Sequence, residues 1–431
     1  MKLFNKTNVL WLIPGVGVKR WSLLIVAAAV VTAIGVSLAL HMAPMYWMIG
    51  LARAIKGSIW LQIIGFAMVA VGVAVFIYSC RRIIASLSDL QDSRTAKSIS
   101  IPEAVALRSR LNRGPKIVVV GGGSGLSSLL KGLKEITYNL TAVVTVGDDG
   151  GSSGKIREEM GILPPGDMRN CITALADDEA MITRLFQYRF ANGGLSGHSF
   201  GNLFITALTG ITGNIYNAVQ ESSKILKIRG QVLPATLDDM KLTAQMSDGT
   251  VIEGESHITE YGGKIARLST NPKVCHPLPE VLDAISKADL IVIGPGSLYT
   301  SIIPNLLVKD ISAAISLSQA RKIYVCNIVT QPGETDGYSV GDHVKAILDH
   351  AGQENLFDTV MVSSGLPEKL PPGYAQEGRF PVRTDEDRVR QMGLKVIKRR
   401  MIEFNSEGHV RHSPRRLAYS IYHWFKRGGQ A

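Results

Sequence analysis

Five strand-like runs constrain this chain more than any other feature: Lys116–Val120, Ala142–Val146, Leu290–Ile293, Lys322–Val325 and Thr359–Val362. They are continuous Val/Ile runs without apolar–polar alternation, as expected of strands buried on both faces. Amphipathic segments of helix length separate them. The pattern predicts an α/β fold, a Rossmann-like parallel sheet with helices on both faces. Residues 221–275 break the rhythm: Lys241–Met246 and Thr250–Glu253 flank Ser247-Asp248-Gly249, which predicts a hairpin inside a small β insertion.

Two further runs, Trp21–Leu40 and Ser58–Cys80, contain no charged side chain. Each meets the roughly 20-residue requirement for crossing a bilayer core. Residues 1–80 are therefore expected to form a two-span transmembrane hairpin. A polar helical connector, 81–115, ends at Gly114-Pro115. The Rossmann-like body then covers 116–365, and an irregular basic segment, 366–431, completes the ligand site. The net charge of +11 is unevenly placed: residues 1–100 carry +8 and 395–431 carry +7, leaving −4 on residues 101–394. A mildly acidic body argues against a nucleic-acid partner. Lys2, Lys6, Lys19 and Arg20 precede the first run and Arg81, Arg82, Arg94 and Lys97 follow the second, while the connecting loop holds only Arg53 and Lys56. That asymmetry predicts a multi-pass cell-membrane protein with both termini and the soluble domain in the cytoplasm. The four cysteines, Cys80, Cys171, Cys275 and Cys326, show no CxxC spacing, which suits a reducing compartment and argues against a zinc site.

Chemistry concentrates where strands end. Ile117–Val120 runs into Gly121-Gly122-Gly123-Ser124-Gly125 and then a helix-like segment. Strand, glycine turn and helix start make an anion site, because glycines allow close approach and helix-start N–H groups point at the ligand. The spacing is neither GxGxxG nor a P-loop, which ranks a nicotinamide oxidoreductase last and excludes a Walker-type NTPase. The next strand ends in Gly147-Asp148-Asp149-Gly150-Gly151-Ser152-Ser153-Gly154. There Asp148 and Asp149 could accept from ribose hydroxyls or hold a divalent metal such as Mg, while Gly151, Ser152 and Ser153 make a second N–H-rich loop. Asp167, Arg169 and Asn170 sit together before a helical segment, and His198 and Asn202 lie one helical turn apart. Gly294, Ser297, Tyr299 and Thr300 follow a third strand; Asn327, Thr330 and Glu334 follow a fourth. All these loops are expected to converge at the carboxyl edge of the sheet.

The ordered motifs GGGSGLSSLLKGL, TVGDDGGSSG, PPGDMRN, LSGHSFGNL, GPGSLYTSIIPNLL and TQPGETDGY closely resemble the gluconeogenesis-factor family (YvcK/GlmR-like), itself related to the CofD-like phospholactate transferases. The resemblance covers roughly Lys116 to Arg416. It implies a regulator that needs no cofactor, binds UDP-N-acetylglucosamine or a related UDP-sugar, and links carbon supply to cell-wall precursor synthesis and cell shape. A homo-oligomer acting on glucosamine-phosphate synthase or the cell-wall machinery is expected. The resemblance also places Tyr374 and Arg411 on the UDP-sugar. The competing expectation is a metal-dependent transferase of a nucleotide-linked phosphoryl group. Its metal would sit on Asp148 or Asp149, and Asp167 or His198 would move the proton. Against the transferase branch, Gly166-Asp167-Met168-Arg169-Asn170 lacks a second acid after the first. The usual family members are expected to be soluble, so the hairpin rests on residues 1–100 alone.

Overall fold

All five expected runs are strands in the computed structural model, which describes residues 18–39, 59–91 and 101–428, apart from 178, 366–371 and 406–407. The chain forms two compact units, Met1–Arg110 and Leu111–Ala431.

In the second unit, β1 (Ile117–Gly121), β2 (Leu140–Val144) and β3 (Gln231–Pro234) lie on one side of the main sheet. Three more short strands, β4 (Lys241–Met246), β5 (Val251–Glu253) and β6 (Ile265–Asn271), form a separate antiparallel sheet. The main sheet resumes with β7 (Leu290–Ile293), β8 (Arg321–Val325), β9 (Thr359–Ser363) and β10 (Lys395–Arg399). Its order is β10-β9-β8-β7-β1-β2-β3, and every pairing is parallel. Chain direction across the sheet reverses between β1 and β7, so the topological switch point lies between their carboxyl ends. The central strands are fully buried, which explains their unbroken apolar character.

Two expectations are corrected. The insertion is narrower than 221–275, because Ile215–Ile225 is helical and β3 belongs to the main sheet. The segment after Leu366 is not irregular throughout. It supplies edge strand β10, a hairpin of β11 (Ile402–Phe404) and β12 (Val410–His412), and the helix Pro414–Lys426. That last helix buries Leu417, Ala418, Ile421 and Trp424 and packs on the helix Gly123–Leu133. Gly132 permits the approach, since a Cβ there would collide with the Pro414 carbonyl.

The first unit contains the helices Val18–Ala39 and Ile59–Gln91, packed on each other. Among the described residues the apolar stretches are Leu23–Val36 and Ile63–Ser79, and no single helix is long and apolar enough to cross a membrane. The expected two-span hairpin is therefore unsupported at that level. Lys2, Lys6, Arg53, Lys56, Arg94 and Lys97 lie outside the described residues. The pair has a reversed pattern. Small residues seven apart, Ala28 and Gly35 on one helix and Gly65, Gly72 and Ser79 on the other, are buried between them. Leu23, Val26, Val30, Trp60, Ile63 and Phe66 face outward.

Candidate functional site

The loops at the carboxyl edge are organised around the switch point. Gly122 is fully extended and Gly123 has φ of +64°, a left-handed conformation that favours glycine. A Cβ on Gly122 would lie 2.6 Å from Asp167 Oδ2, and one on Gly125 only 2.5 Å from the Pro295 carbonyl oxygen. The loops after β1 and β7 are thus packed directly together. The Gly123 N–H is already used: it donates to Asp167 Oδ2 at 2.7 Å. That one N–H of the glycine turn is therefore not free to meet a phosphate. Gly123 serves backbone conformation, Gly122 and Gly125 serve loop packing, and a side-chain carboxylate holds the helix start. Ser124 is exposed beside it, and the Gly121 carbonyl accepts from the buried Asn305 amide at 3.1 Å.

The second loop feeds a buried polar network. Asp148 accepts from the Gly150 N–H at 2.9 Å and from the Ser153 hydroxyl; burial pushes its carboxyl above the ordinary range. Asn202 Nδ2 donates to Ser152 Oγ at 3.1 Å and approaches Ser153 Oγ at 3.5 Å. Ser152 Oγ lies 3.2 Å from His198 Nδ1, and the Ser199 N–H points at the same oxygen at 3.4 Å. Ser152 Oγ is thus surrounded by the Asn202 amide, the Ser199 N–H and the His198 ring. Arg169 donates to Ser199 Oγ at 2.5 Å and to Asn170 Oδ1 at 3.0 Å. Asn202 Oδ1 and Arg169 Nε are buried without a protein partner. Gly151 is exposed at the loop's tip.

Asp149 has a different role from its neighbour. Its Oδ1 accepts the Ser256 N–H at 2.8 Å, tying the β insertion to the sheet edge. Among the described residues no group of three or more His, Cys, Asp or Glu is placed to hold a metal ion.

Asp167 is raised to about 6, first by burial and then by the nearby Asp148 charge, against the Gly123 N–H and Arg169. Glu334 is raised to about 7 by burial, although it accepts the Tyr299 N–H at 3.2 Å and the Thr300 hydroxyl at 3.3 Å. Sequence reasoning missed Glu255, at the start of the insertion's helix. Burial and the charges of Asp148, Asp167, Glu334 and Asp149 push it well above the carboxylate range. It missed Gln331 as well, which bridges Ser297 Oγ (2.7 Å) and the Asn327 amide (3.1 Å). Nothing local marks Glu255; the Ser247-Asp248-Gly249 turn identifies the insertion but not where it docks.

The remaining expected residues are placed as follows. Gly294 opens the turn after β7 with φ of +72°. The Tyr299 phenol points to the Tyr338 hydroxyl at 2.8 Å and is buried, so only its N–H faces Glu334. Thr330 pairs through backbone and side chain with Phe380. Tyr374 is 3% exposed, its hydroxyl accepts the Val410 N–H at 2.5 Å, and it packs with Ile328 and Ile402. It is a strut joining the C-terminal hairpin to the loop after β8, rather than an open stacking platform. Arg411 is exposed and paired with Glu403 at 2.9 Å across that hairpin. A cavity of about 600 Å³ opens at the opposite edge of the sheet, beside Asp289, Leu317 and Arg321, and takes in none of these residues.

A doubly wound α/β domain with a polar, acid-rich cluster at its switch point is the class the fold and site define. A family model described as 2-phospho-L-lactate transferase CofD matches residues 117–402. A Bacillus subtilis gluconeogenesis factor is 48% identical over 310 residues, covering 72% of this chain and 97% of its own length. A Nostoc relative is 47% identical over 421 residues, 96% of this chain and 92% of its own. The crystal structure of protein BH3568 from Bacillus halodurans superposes with a TM-score of 0.70 at 47% identity, covering 72% of this chain and all of that one. The chain belongs to the CofD family, among its gluconeogenesis factors. An alignment of 421 residues cannot fit within 111–431, so the Nostoc relative shares N-terminal sequence that the shorter relatives lack.

Proposed function

We propose that this chain is a UDP-sugar-binding regulator, with UDP-N-acetylglucosamine as its ligand, that couples carbon supply to cell-wall precursor synthesis and cell shape. The observation that carries the reading is the buried network at the sheet edge, with Asn202 Oδ1 and Arg169 Nε lacking protein partners. Buried polar atoms without partners are costly in a finished fold and are met by a bound ligand or water. Arg169 supplies the positive charge suited to a diphosphate, the His198 ring supplies a polar group beside Ser152, and the exposed Arg411 supplies a second cation. Glucosamine-phosphate synthase or the cell-wall machinery is the proposed partner, bound by a homo-oligomer.

The test is thermal shift and calorimetry of the full chain with UDP-N-acetylglucosamine, UDP-glucose, GDP and NAD. A ligand at 100 times its Kd stabilises the native state by about 2.7 kcal/mol, so a binding UDP-sugar is expected to raise Tm clearly. Stabilisation by GDP instead, with phosphoryl transfer on adding a metal, would establish the transferase reading that the family model's description favours.

The N-terminal helix pair is proposed to lie in the bilayer with both ends in the cytoplasm. The supporting observation is the reversed pattern: small residues at the helix contact and large apolar ones outside. In water a helix pair buries its large side chains, whereas in lipid small residues let two backbones approach. Membrane fractionation and labelling of single-cysteine variants at Met45 and in the second unit test this. Recovery in the soluble fraction, or labelling of the second unit from outside intact cells, overturns it.

A further inference from the structure

Two strand-to-helix turns at the sheet edge carry anions of the protein's own. The first N–H of the helix after β1, on Gly123, is held by Asp167 from 44 residues away in sequence. In the turn after β7, Glu334, 35 residues beyond Tyr299, takes the Tyr299 N–H and the Thr300 hydroxyl. Helix starts attract negative charge, and a glycine-lined one is where a phosphate would otherwise sit. In each case a carboxylate already sits there.

The surroundings make these carboxylates poor company for a further anion. Asp167 faces Asp148, Glu255, Cys171 and Asn170, with Arg169 as the cation that offsets them. Glu334 faces Tyr299, Thr300 and Glu255, and no cation is among the groups that act on it. Building on the UDP-sugar reading, we propose that Asp167 and Glu334 are internal plugs of the two anion seats, and that a ligand diphosphate is admitted only with proton uptake onto one or both of them. A proton removes the charge opposing the phosphate yet leaves a carbonyl oxygen to accept from Gly123 or Tyr299. The fold has already brought that step near neutrality, since Asp167 stands at about 6 and Glu334 at about 7.

The sign follows from linkage. The bound state holds more protons than the free state, so affinity rises as pH falls and weakens as pH climbs past these two values. Each coupled proton contributes up to about tenfold in Kd per pH unit. The diphosphate of a UDP-sugar is a diester and does not titrate in this range, so the effect belongs to the protein.

The experiment is calorimetric titration of the full chain with UDP-N-acetylglucosamine near pH 6.5 and near pH 8, in buffers of different ionisation enthalpy. Net proton uptake is expected, with affinity at least about tenfold weaker at the higher pH. Asp167→Asn and Glu334→Gln keep an acceptor oxygen while removing the charge. Each is expected to tighten binding near pH 8 and to flatten the pH dependence. Binding with no buffer-dependent heat and one Kd at both pH values overturns the plugs while leaving the UDP-sugar reading intact. Absence of binding at both pH values overturns the UDP-sugar reading, and the plugs are then judged without ligand. The ¹⁵N shift of the Gly123 amide should titrate near pH 6 in the natural sequence and lose that transition in Asp167→Asn. A flat Gly123 shift in the natural sequence overturns the plugs.

Discussion

Gly123 and Gly125 sit two residues apart in one loop and are glycines for different reasons, which makes their substitutions diagnostic. At Gly123 a Cβ meets nothing closer than Ser301 Oγ at 3.5 Å, but the backbone is left-handed with φ of +64°. Alanine there should cost about 1–2 kcal/mol of conformational strain, and asparagine less, because Asn tolerates this region. At Gly125 the conformation is ordinary and the space is missing. A Cβ would lie 2.5 Å from the Pro295 oxygen and 2.8 Å from its carbonyl carbon, both backbone atoms that no rotamer change can move. Overpacking of this kind costs about 1–3 kcal/mol, and the helix propensity regained by losing glycine returns at most about 1. Gly125→Ala should therefore destabilise, and Gly125→Asn should be worse. The two sites thus rank alanine and asparagine in opposite orders. Thermal and urea unfolding of the four variants in the full chain would measure this. Equal ranking at both sites, or a stabilising Gly125→Ala, would refute the claim that loop packing rather than ligand approach dictates Gly125.

Further outcomes follow from the same structure. His412 is buried, and burial lowers it from 6.5 to about 4 even though the Cys326 backbone opposes the shift. The unfolded chain therefore binds the extra proton, so stability present above about pH 6.5 is lost as pH falls towards 4, by up to about 3 kcal/mol. His412→Leu should remove that slope in acid unfolding curves, and an unchanged slope would exclude His412 as its source. Tyr374→Phe leaves the Val410 N–H unsatisfied and should cost about 1–3 kcal/mol in urea melts, whereas Arg411→Ala should stay within about 0.5. Calorimetry on the same Arg411→Ala protein should show UDP-N-acetylglucosamine affinity reduced roughly ten- to hundredfold. An unchanged Kd would remove Arg411 from the ligand.

The central strands were legible because burial on both faces forces unbroken Val/Ile runs, and β1, β2, β7, β8 and β9 all appear within two residues of their expected bounds. The two strands of the main sheet that escaped notice are its edges. β3 is only four residues long, and β10 reads Lys-Val-Ile-Lys-Arg, with the exposed basic residues that guard an open edge. The glycine loops were legible for a similar reason, since few other sequences turn a strand so sharply into a helix. Their occupancy was not. The bond from Gly123 to Asp167 spans 44 residues and that from Asp149 to Ser256 spans 107, and no local pattern encodes such pairs. Tyr374 shows the converse limit: a lone Tyr beside Gly373 in a polar stretch reads as surface until β12 folds over it.

The helix Pro414–Lys426 has a consequence for how the polypeptide matures on the ribosome. It covers one face of the helix that directly follows β1, so the earliest βαβ unit to emerge keeps an apolar flank open until nearly the whole chain has been made. Contacts this distant in sequence form slowly, and the exposed surface is prone to association in the interval. The nascent protein therefore passes most of its synthesis with that helix face uncovered. Clipping within the last helix should strip cover from the first glycine-loop helix, some 280 residues upstream.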